Sequence, residues 1–391
     1  MTEQIPLSVP WIAGNEWKYV KRCLDTGWVS SAGSFVGMFE DRVREYTRAK
    51  YAASCVNGTM GLFMALLMAG AKEDAEVVVP TVTFIAPVNA VRYAGCEPVF
   101  MDCDSHLNMD ADKLNDFCAR ECRLTTSGLV NKKSGRTVKA VIVVHVFGNP
   151  CDMERIMAVA GRFKLKVIED ATESMGSCFT EGPFNGSFTG TIGETGVYSF
   201  NGNKIITSGG GGMIVTNSKR LSDKARYLID QAKDDPIRYI HDEIGYNFRL
   251  SNLQAAVGVA QLERLEDFIR IKKRNYDLYK KGLRDIDGIE LMGVPAGTRP
   301  NYWFYSLIVD KKRCGMDREA LVRGLAGKNI QARPLWRPNH LQKPYRNNQA
   351  YRIEKATRSW KRVVNIPSSA NLTEKDISRV VSEIKTLTGA E

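Results

Sequence analysis

One lysine, Lys204, lies in the stretch SFNGNKIITSGGGGM, where it follows Ser199 by five residues and precedes a run of four glycines. Most lysines are solvated surface charges, because the ammonium group is costly to bury. A lysine held in a pocket can instead form a Schiff base with an aldehyde. The residues that accompany Lys204 decide between these two interpretations.

Four further residues, in three separate stretches, have side chains or backbone groups that suit one cofactor. VIEDATES places Asp170 at the end of an apolar run, NGTMGL places Gly58 and Thr59 at the start of a helix, and PTVTF places Phe84 just after a strand. Taken singly, these are ordinary caps, turns and core residues. Together with Ser199 they offer N–H and hydroxyl donors for a phosphate, a stacking face, and a carboxylate for a protonated pyridine nitrogen. With a Schiff-base lysine, this set predicts pyridoxal 5′-phosphate.

The elements that must position these residues are strands and helices in alternation from about residue 50 to 220. Helical segments fit at 110–122 and 151–163, between apolar runs that read as buried strands. The runs are VVVP (77–80), PVFMDCD (98–104), AVIVVHVFG (140–148), LKVIEDA (165–171), TGVYSF (195–200) and GGMIVTN (211–217). This order predicts an α/β domain with a mostly parallel sheet, whose ligands bind at the carboxyl ends of the strands.

The pattern changes after residue 250. Segment 247–283 has apolar residues at helical spacing, with Ser251 as N-cap, and predicts one long helix. The strand YWFYSLIVD and the helix DREALVRGLAGK follow, as in a smaller α+β domain. We therefore expect a large cofactor-binding domain with an N-terminal segment over 1–250, and a linking helix with a small C-terminal domain over 251–391.

Composition narrows the class of protein. The 391 residues are 43% hydrophobic and 25% charged, as in ordinary globular proteins. No apolar run approaches the ~20 residues that cross a bilayer, and the first residues lack a signal-peptide pattern. We expect a cytoplasmic protein that does not bind membranes. The formal charge of +11 favours an anionic partner, but no nucleic-acid-binding motif accompanies it, so we expect no nucleic-acid partner.

The nine cysteines are scattered through the chain without a disulfide framework, and we expect free thiols. Cys118 and Cys122 lie one helical turn apart and would supply only half a metal site. We therefore predict no metal centre.

Seven ordered motifs make the chain similar to a known family. They are DTGWVSSAGSFVGMFE, NGTMGL, PTVTF, IEDATES, YSFNGNKIITSGGGGM, GYNFRLSNLQAAVG and RPLWRPNHLQKPY. The chain resembles the sugar-nucleotide aminotransferases of the DegT/StrS type, which are pyridoxal phosphate enzymes of the aspartate-aminotransferase-like fold (fold type I). The resemblance spans nearly the whole chain.

The resemblance implies a role for each residue named above. Lys204 would carry the cofactor as a Schiff base, and Asp170 would pair with the ring nitrogen. The phosphate and ring would be held by Gly58, Thr59, Ser199, Phe84 and, from the neighbouring subunit, Asn247. The last contact implies a homodimer with shared active sites.

Glu173 departs from the family's pattern, because many relatives carry a glutamine three residues after the aspartate. An ionised carboxylate would repel the phenolic oxygen of the cofactor, so we expect a protonated Glu173 or a water between them. For the substrate, motif position selects Trp28, Ser30, Ser31 and Arg333 as candidate contacts.

The implied reaction moves the amino group of L-glutamate to the keto carbon, C4, of a nucleotide-linked 4-keto-6-deoxy sugar. The chain most resembles, in IEDATESMGS, FTGTIGE and VFGNPCDM, the branch that acts on UDP-linked N-acetylhexosamines for surface glycans. GDP- and dTDP-linked 4-keto or 3-keto hexoses stay open as substrates. Three alternatives stay open. A related sugar dehydratase would have histidine in place of Lys204, a basic regulatory protein would bind nucleic acid with steep salt dependence, and a nicotinamide oxidoreductase would need a GxGxxG turn.

Overall fold

The computed structural model describes residues 3–390. Its strands are β1 (Tyr51–Cys55), β2 (Glu76–Pro80), β3 (Glu97–Met101), β4 (Cys122–Thr125), β5 (Gly128–Asn131), β6 (Thr137–Val144), β7 (Lys166–Asp170), β8 (Cys178–Phe179), β9 (Thr195–Ser199), β10 (Gly212–Thr216), β11 (Ile289–Leu291), β12 (Thr298–Arg299), β13 (Tyr305–Val309), β14 (Arg333–Pro334), β15 (Ala350–Tyr351) and β16 (Val363–Ile366).

The helices are α1 (Glu16–Asp25), α2 (Ser34–Thr47), α3 (Gly58–Met68), α4 (Ala86–Tyr93), α5 (Ala111–Asp116), α6 (Met153–Phe163), α7 (Lys219–Ile229), α8 (Asn252–Leu262), α9 (Leu265–Leu283), α10 (Lys311–Cys314), α11 (Arg318–Gly327), α12 (Lys355–Trp360) and α13 (Glu374–Thr388). A π-helical turn continues α5 over Phe117–Glu121.

The central sheet has the order β1-β10-β9-β7-β6-β2-β3-β15, with the hairpin of β4 and β5 attached to β6. The strands from β9 to β15 run parallel, and β10 runs antiparallel to both of its neighbours. All six apolar runs predicted as strands lie in this sheet. Their residues are buried because helices cover both faces, as parallel sheets require. The predicted α/β class is confirmed.

The segment after residue 250 differs from its prediction in one respect. Stretch 247–283 holds two helices, α8 and α9, because the helical path breaks at Glu263 and Arg264. Apolar spacing continues across the break, so the pattern alone indicated one helix. The predicted cap is confirmed, since Ser251 and Gln254 form a capping box at the start of α8.

A second sheet of four strands, β11-β13-β16-β14, packs with α9, α11 and α13 around its own apolar core. The chain also returns to the first sheet, because β15 pairs in parallel with β3. Elements after residue 250 thus contribute to both sheets. A division of the chain at residue 250 stays a prediction.

The nine cysteines are free thiols, and eight of them are buried. Within residues 3–390, no three or more His, Cys, Asp or Glu side chains form a cluster suited to a metal ion. Across the same residues, none of the helices combines the length and the apolar character that spanning a membrane would require.

Candidate active site

A cavity of about 560 Å³ opens where β7 and β9 end and α3 begins. This is the edge at which open α/β sheets bind ligands, because strand ends, free loops and helix N-termini meet there. Seven residues singled out from the sequence line it: Gly58, Thr59, Phe84, Asp170, Glu173, Ser199 and Lys204. The structure therefore brings together residues that lie up to 146 positions apart in the chain.

The loop that carries Lys204 is closed by two antiparallel strands. β9 ends at Ser199 and β10 returns from Gly212, so residues 200–211 form a compact loop above the sheet. The N–H of Lys204 donates to the carbonyl of Asn201 at 3.0 Å. Gly211 has a φ of +102°, which other residues rarely adopt. The glycines here build the turn and the start of the returning strand β10.

The Lys204 side chain points into the cavity and is only 13% exposed. Its Nζ lies 3.9 Å from Oε1 of Glu173 and 4.3 Å from the centre of the Trp303 ring. Burial lowers the pKa of Lys204, and the charges of Glu173 and Asp170 offset this in part. A lowered pKa increases the neutral fraction of the amine, which is the form that attacks carbonyl carbons or takes a proton.

Asp170 is the last residue of β7 and is only 2% exposed. Its Oδ1 accepts a hydrogen bond from the N–H of Thr172 at 3.1 Å. Burial raises the pKa of Asp170, while the hydrogen bonds from Thr172 and the charge on Lys204 oppose that rise. A cation beside this carboxylate would hold it in the ionised form. Asp170 is thus placed to pair with a protonated ring nitrogen.

Glu173 is 3% exposed and faces Lys204 across the cavity. Its Oε2 accepts the N–H of Phe147 at 2.8 Å, and Phe147 has a left-handed φ of 56°. Burial raises the pKa of Glu173 to about 7, although Lys204 acts in the opposite direction. Near neutral pH this carboxyl therefore carries a proton in a large fraction of molecules.

The start of α3 forms the other end of the cavity. Asn57 caps this helix, since its side chain accepts the N–H of Met60 at 2.9 Å. The first N–H groups of a helix have no partner within it and attract anions. A Cβ on Gly58 would lie 2.9 Å from Cβ of Ser199, so only glycine allows the Ser199 hydroxyl so close to these donors. A phosphate fits this end.

Three predicted substrate contacts lie outside this cavity in a single protomer. Trp28 is 58% exposed and lines a separate cavity of about 470 Å³. The carbonyl of Ser30 accepts the N–H of Asn252 at 2.7 Å, and that of Ser31 accepts a bond from Arg249 at 2.6 Å. Their backbone groups hold the loop before α2, and their proposed substrate contacts stay predictions.

Asn247 and Arg333 also lie outside the cavity and have exposed side chains. Asn247 forms a β-bridge with Asp230, and Arg333 belongs to the short strand β14 in the second sheet. In this protomer neither side chain reaches the cavity lining. A contact from Asn247 to a neighbouring subunit's phosphate therefore stays a prediction.

An aromatic wall of the cavity was missed from the sequence. It consists of Trp303, Phe304 and Trp336, with Trp303 and Phe304 stacked at 4.0 Å. Trp336 lies 6.3 Å from Phe84 across the opening. The first two residues belong to a stretch that reads only as a strand, and Trp336 lies in RPLWRP, from which Arg333 was selected. The spacing of these aromatic residues in the sequence does not indicate that they lie beside Lys204.

A buried pair behind the site was also missed. Glu169 precedes Asp170 and accepts hydrogen bonds from His145 Nε2 at 3.0 Å, from Gly190 N at 2.8 Å and from Ile192 N at 2.7 Å. These bonds tie the loop before β9 to the end of β7. They give Asp170 a rigid setting, because its neighbour's side chain cannot reorient without breaking several buried bonds.

The chemistry of this lining fits pyridoxal phosphate. The buried amine and the buried carboxylate suit the aldehyde and the ring nitrogen, and the start of α3 with Ser199 suits the phosphate. Phe84, which is 54% exposed at the opening, offers a face for stacking. The aldehyde, the ring nitrogen, the phosphate and the ring face of the cofactor would each have a partner among the described residues.

Comparison with known proteins identifies the family of this chain. The profile of the DegT/DnrJ/EryC1/StrS aminotransferase family matches residues 10–385. GDP-perosamine synthase of Escherichia coli O157:H7 is 36% identical over 380 residues, which cover 97% of each chain. GDP-perosamine synthase of Caulobacter vibrioides is 35% identical over 383 residues, again 97% of each chain.

Solved structures of the same kind superpose on nearly the whole chain. A DegT DnrJ EryC1 StrS aminotransferase from Brucella abortus matches with a TM-score of 0.86 at 28% identity, covering 96% of this chain and 95% of its own. DesI, crystallised with its TDP-sugar product, matches with a TM-score of 0.87 at 25% identity, covering 100% and 95%. The chain therefore belongs to the DegT/DnrJ/EryC1/StrS family and is a pyridoxal phosphate-dependent sugar aminotransferase.

Proposed function

We propose that the enzyme transfers the amino group of L-glutamate to the keto carbon, C4, of a nucleotide-linked 4-keto-6-deoxy sugar. The observation that carries this proposal is Lys204, a buried amine with a lowered pKa that lies 3.9 Å from the buried Glu173 carboxyl and is also influenced by the charge of the buried Asp170. The cavity of about 560 Å³ extends from the start of α3 to the aromatic wall. It therefore offers space beside the predicted cofactor positions for a sugar ring.

Some of these residues bind the cofactor, and others hold or transfer protons. Pyridoxal phosphate, when bound, supplies an aldehyde and an electron-withdrawing ring. Lys204, in its neutral form, is the base at Nζ that takes the proton from the α-carbon of glutamate. Asp170 keeps a proton on the ring nitrogen through its negative charge. The N–H groups at Gly58 and Thr59, with the hydroxyl of Ser199, bind the phosphate.

Glu173 acts next to Lys204 in this proposal. Its raised pKa of about 7 favours the protonated form among the two alternatives stated for this residue, a protonated carboxyl or an intervening water. The N–H of Phe147 holds Oε2, so Oε1 is the oxygen that faces the amine. A protonated carboxyl there could donate a hydrogen bond to the phenolic oxygen of a bound cofactor, whereas an ionised one would repel it.

Two sugars are candidates, each on its own observation. The motifs IEDATESMGS, FTGTIGE and VFGNPCDM favour a UDP-linked N-acetylhexosamine. Similarity to the two GDP-perosamine synthases described above favours a GDP-linked sugar. The aromatic wall supports either sugar, because it offers an apolar surface to the C–H groups and the methyl group of a 6-deoxy ring.

We also propose a homodimer with shared active sites. Several large apolar side chains are exposed on the single protomer, among them Trp17 at 79%, Trp28 at 58%, Ile237 at 85% and Ile244 at 85%. Ile237 and Ile244 lie in the same exposed segment that leads to Asn247. Contact with a second copy would bury this surface and would bring Asn247 toward the neighbouring cofactor site.

The test supplies purified enzyme with pyridoxal phosphate, glutamate and one keto-sugar nucleotide at a time, and follows 2-oxoglutarate release. We expect UDP- or GDP-linked 4-keto-6-deoxy sugars to give the highest kcat/KM, the ratio that measures discrimination between substrates. Lys204→Ala should abolish turnover. Equal activity of Lys204→Ala, or the absence of activity with every keto-sugar nucleotide, would overturn the proposal.

Preference for one nucleotide decides between the two sugars. A higher kcat/KM with the UDP-linked N-acetyl substrate would support the sequence-based candidate. A higher value with the GDP-linked substrate would support the candidate suggested by similarity to the GDP-perosamine synthases. A dTDP-linked or a 3-keto sugar as the best substrate would contradict both candidates, while the aminotransferase assignment would stand.

A further inference from the structure

Trp303 is fixed beside Lys204 by contacts on both its ring and its backbone. Its side chain is 2% exposed, and Nε1 donates to the carbonyl of Asn203 at 2.7 Å. Its N–H donates to Oδ1 of Asn301 at 2.9 Å, and its ring stacks on Phe304. Asn203 immediately precedes Lys204, so the indole is bonded to the loop that carries the amine.

The face of the same ring is directed at the amine. Nζ of Lys204 lies 4.3 Å from the ring centre, within the range in which an ammonium group is attracted to an aromatic face. Glu173 and Asp170 are the charged groups that act on Nζ among the described residues. Trp303 thus completes a set of three side chains that stabilise positive charge at this atom.

We propose that Trp303 is a positioning residue for Lys204, whose indole face stabilises the charged form of Nζ and whose N–H fixes the loop beneath it. The proposal rests on the function proposed above, since it takes Lys204 as the residue that joins the cofactor.

Trp303 differs in one way from the carboxyl groups that share this task. The support that Glu173 gives to a charge on Nζ depends on its own ionisation and disappears when it is protonated. The pKa of Glu173 is raised to about 7 by burial, so this loss occurs near neutral pH. The indole has no such dependence. The support that Trp303 gives to a charge on Nζ therefore persists across the pH range in which Glu173 changes state.

The experiment titrates the holoenzyme with pH and follows the visible absorbance of the cofactor joined to Lys204, which changes with protonation of the nitrogen. Removal of the aromatic face in Trp303→Leu should lower the midpoint by about 0.4 to 1.5 pH units. Trp303→Phe keeps a weaker face and should give a smaller shift. Fluorinated tryptophan incorporated at position 303 keeps the shape and the N–H, so the midpoint should fall stepwise with fluorination even where Trp303→Leu folds poorly.

Ser8→Ala is the matched control. The Ser8 hydroxyl donates to the same Asn203 carbonyl at 3.3 Å, so this change loosens the loop without touching the aromatic face. Its midpoint should equal that of the wild type. A midpoint unchanged within about 0.2 units in the fluorinated series, or an equal shift in Ser8→Ala, would overturn the role of Trp303.

The same experiment can also refute the proposed function, and it does so by a different result. If the wild type shows no visible band that disappears in Lys204→Ala, or if glutamate does not bleach that band, the assignment of Lys204 is refuted before Trp303 is considered. If the band and the bleaching are present but the fluorinated series does not shift, only the inference on Trp303 is refuted.

Discussion

Glu173→Gln tests whether burial of this carboxyl opposes folding. The side chain is 3% exposed, accepts one hydrogen bond from Phe147 N, and lies 3.9 Å from Nζ of Lys204. Glutamine has the same shape and can accept the same bond through its amide oxygen, but it carries no charge at any pH. The substitution therefore removes the cost of ionisation and leaves the packing in place.

The magnitude follows from the shift in pKa. Burial raises the pKa of Glu173 from an ordinary value of 4.5 to about 7. The folded chain then holds this proton more tightly than the unfolded chain, so the stability of the apoprotein falls as the pH rises from about 4.5 to 7. A shift of this size corresponds to about 3 kcal/mol above pH 7.

Glutamine should recover part of that amount. Because Glu173 also supports the charge on Lys204, its removal costs some stability, and the expected net gain at pH 8 is roughly 1 to 3 kcal/mol. At pH 5 the wild-type carboxyl is mostly protonated in the folded chain, so the two proteins should differ by less than about 1 kcal/mol.

Urea unfolding of the apoproteins at pH 5 and pH 8 measures this difference. Asp41→Asn is the control, since Asp41 is a surface residue paired with Arg44 and such changes alter stability by about 0.5 kcal/mol or less. The reasoning is refuted if Glu173→Gln is no more stable than the wild type at pH 8, or if its gain is the same at both pH values.

Three further predictions concern the cofactor site. Asp170→Asn should fold normally and bind the cofactor, yet lose most of its turnover, because an amide cannot hold the ring proton with a negative charge; near wild-type kcat would contradict this. Gly58→Ala should weaken cofactor binding in a dialysis assay, since its Cβ would lie 2.9 Å from Cβ of Ser199, and unchanged affinity would contradict a phosphate site there. Mixing inactive Lys204→Ala subunits with subunits impaired at Asn247 should restore activity in hybrid dimers that contain one intact site; activity of an isolated monomer would disprove the shared site.

The parts of the site that the sequence predicted are those set by strand ends. Asp170 and Ser199 terminate two neighbouring parallel strands, so an apolar run that stops at a polar residue locates both at one edge of the sheet. Gly58 begins a helix that packs on the same strands. Local pattern and general topology were therefore enough to place these residues together.

The aromatic wall depends on a different kind of information. Trp303 follows Lys204 by 99 positions. Its indole N–H donates to the carbonyl of Asn203 in the loop 200–211, and the Asn301 side chain donates to the carbonyl of Met175 in the segment after β7. Such contacts depend on how the chain runs from β12 past the cavity to β13. Residue types and periodicity within each stretch do not indicate that path. Trp303 and Trp336 could therefore not be placed beside Lys204 from the sequence.

The charge of the cavity lining explains why residues outside it are still needed. Among the described residues that line the cavity, Lys204 is the only cation, and it faces the carboxyl groups of Asp170 and Glu173. The diphosphate of a nucleotide sugar is an anion that such a lining would not attract on its own. The chain has 55 basic and 44 acidic residues, and the net positive charge of +11 therefore comes from residues outside the cavity. We propose that Arg333 or basic side chains of a second copy supply the positive charge, and the second of these possibilities would agree with the proposed active site shared between two subunits.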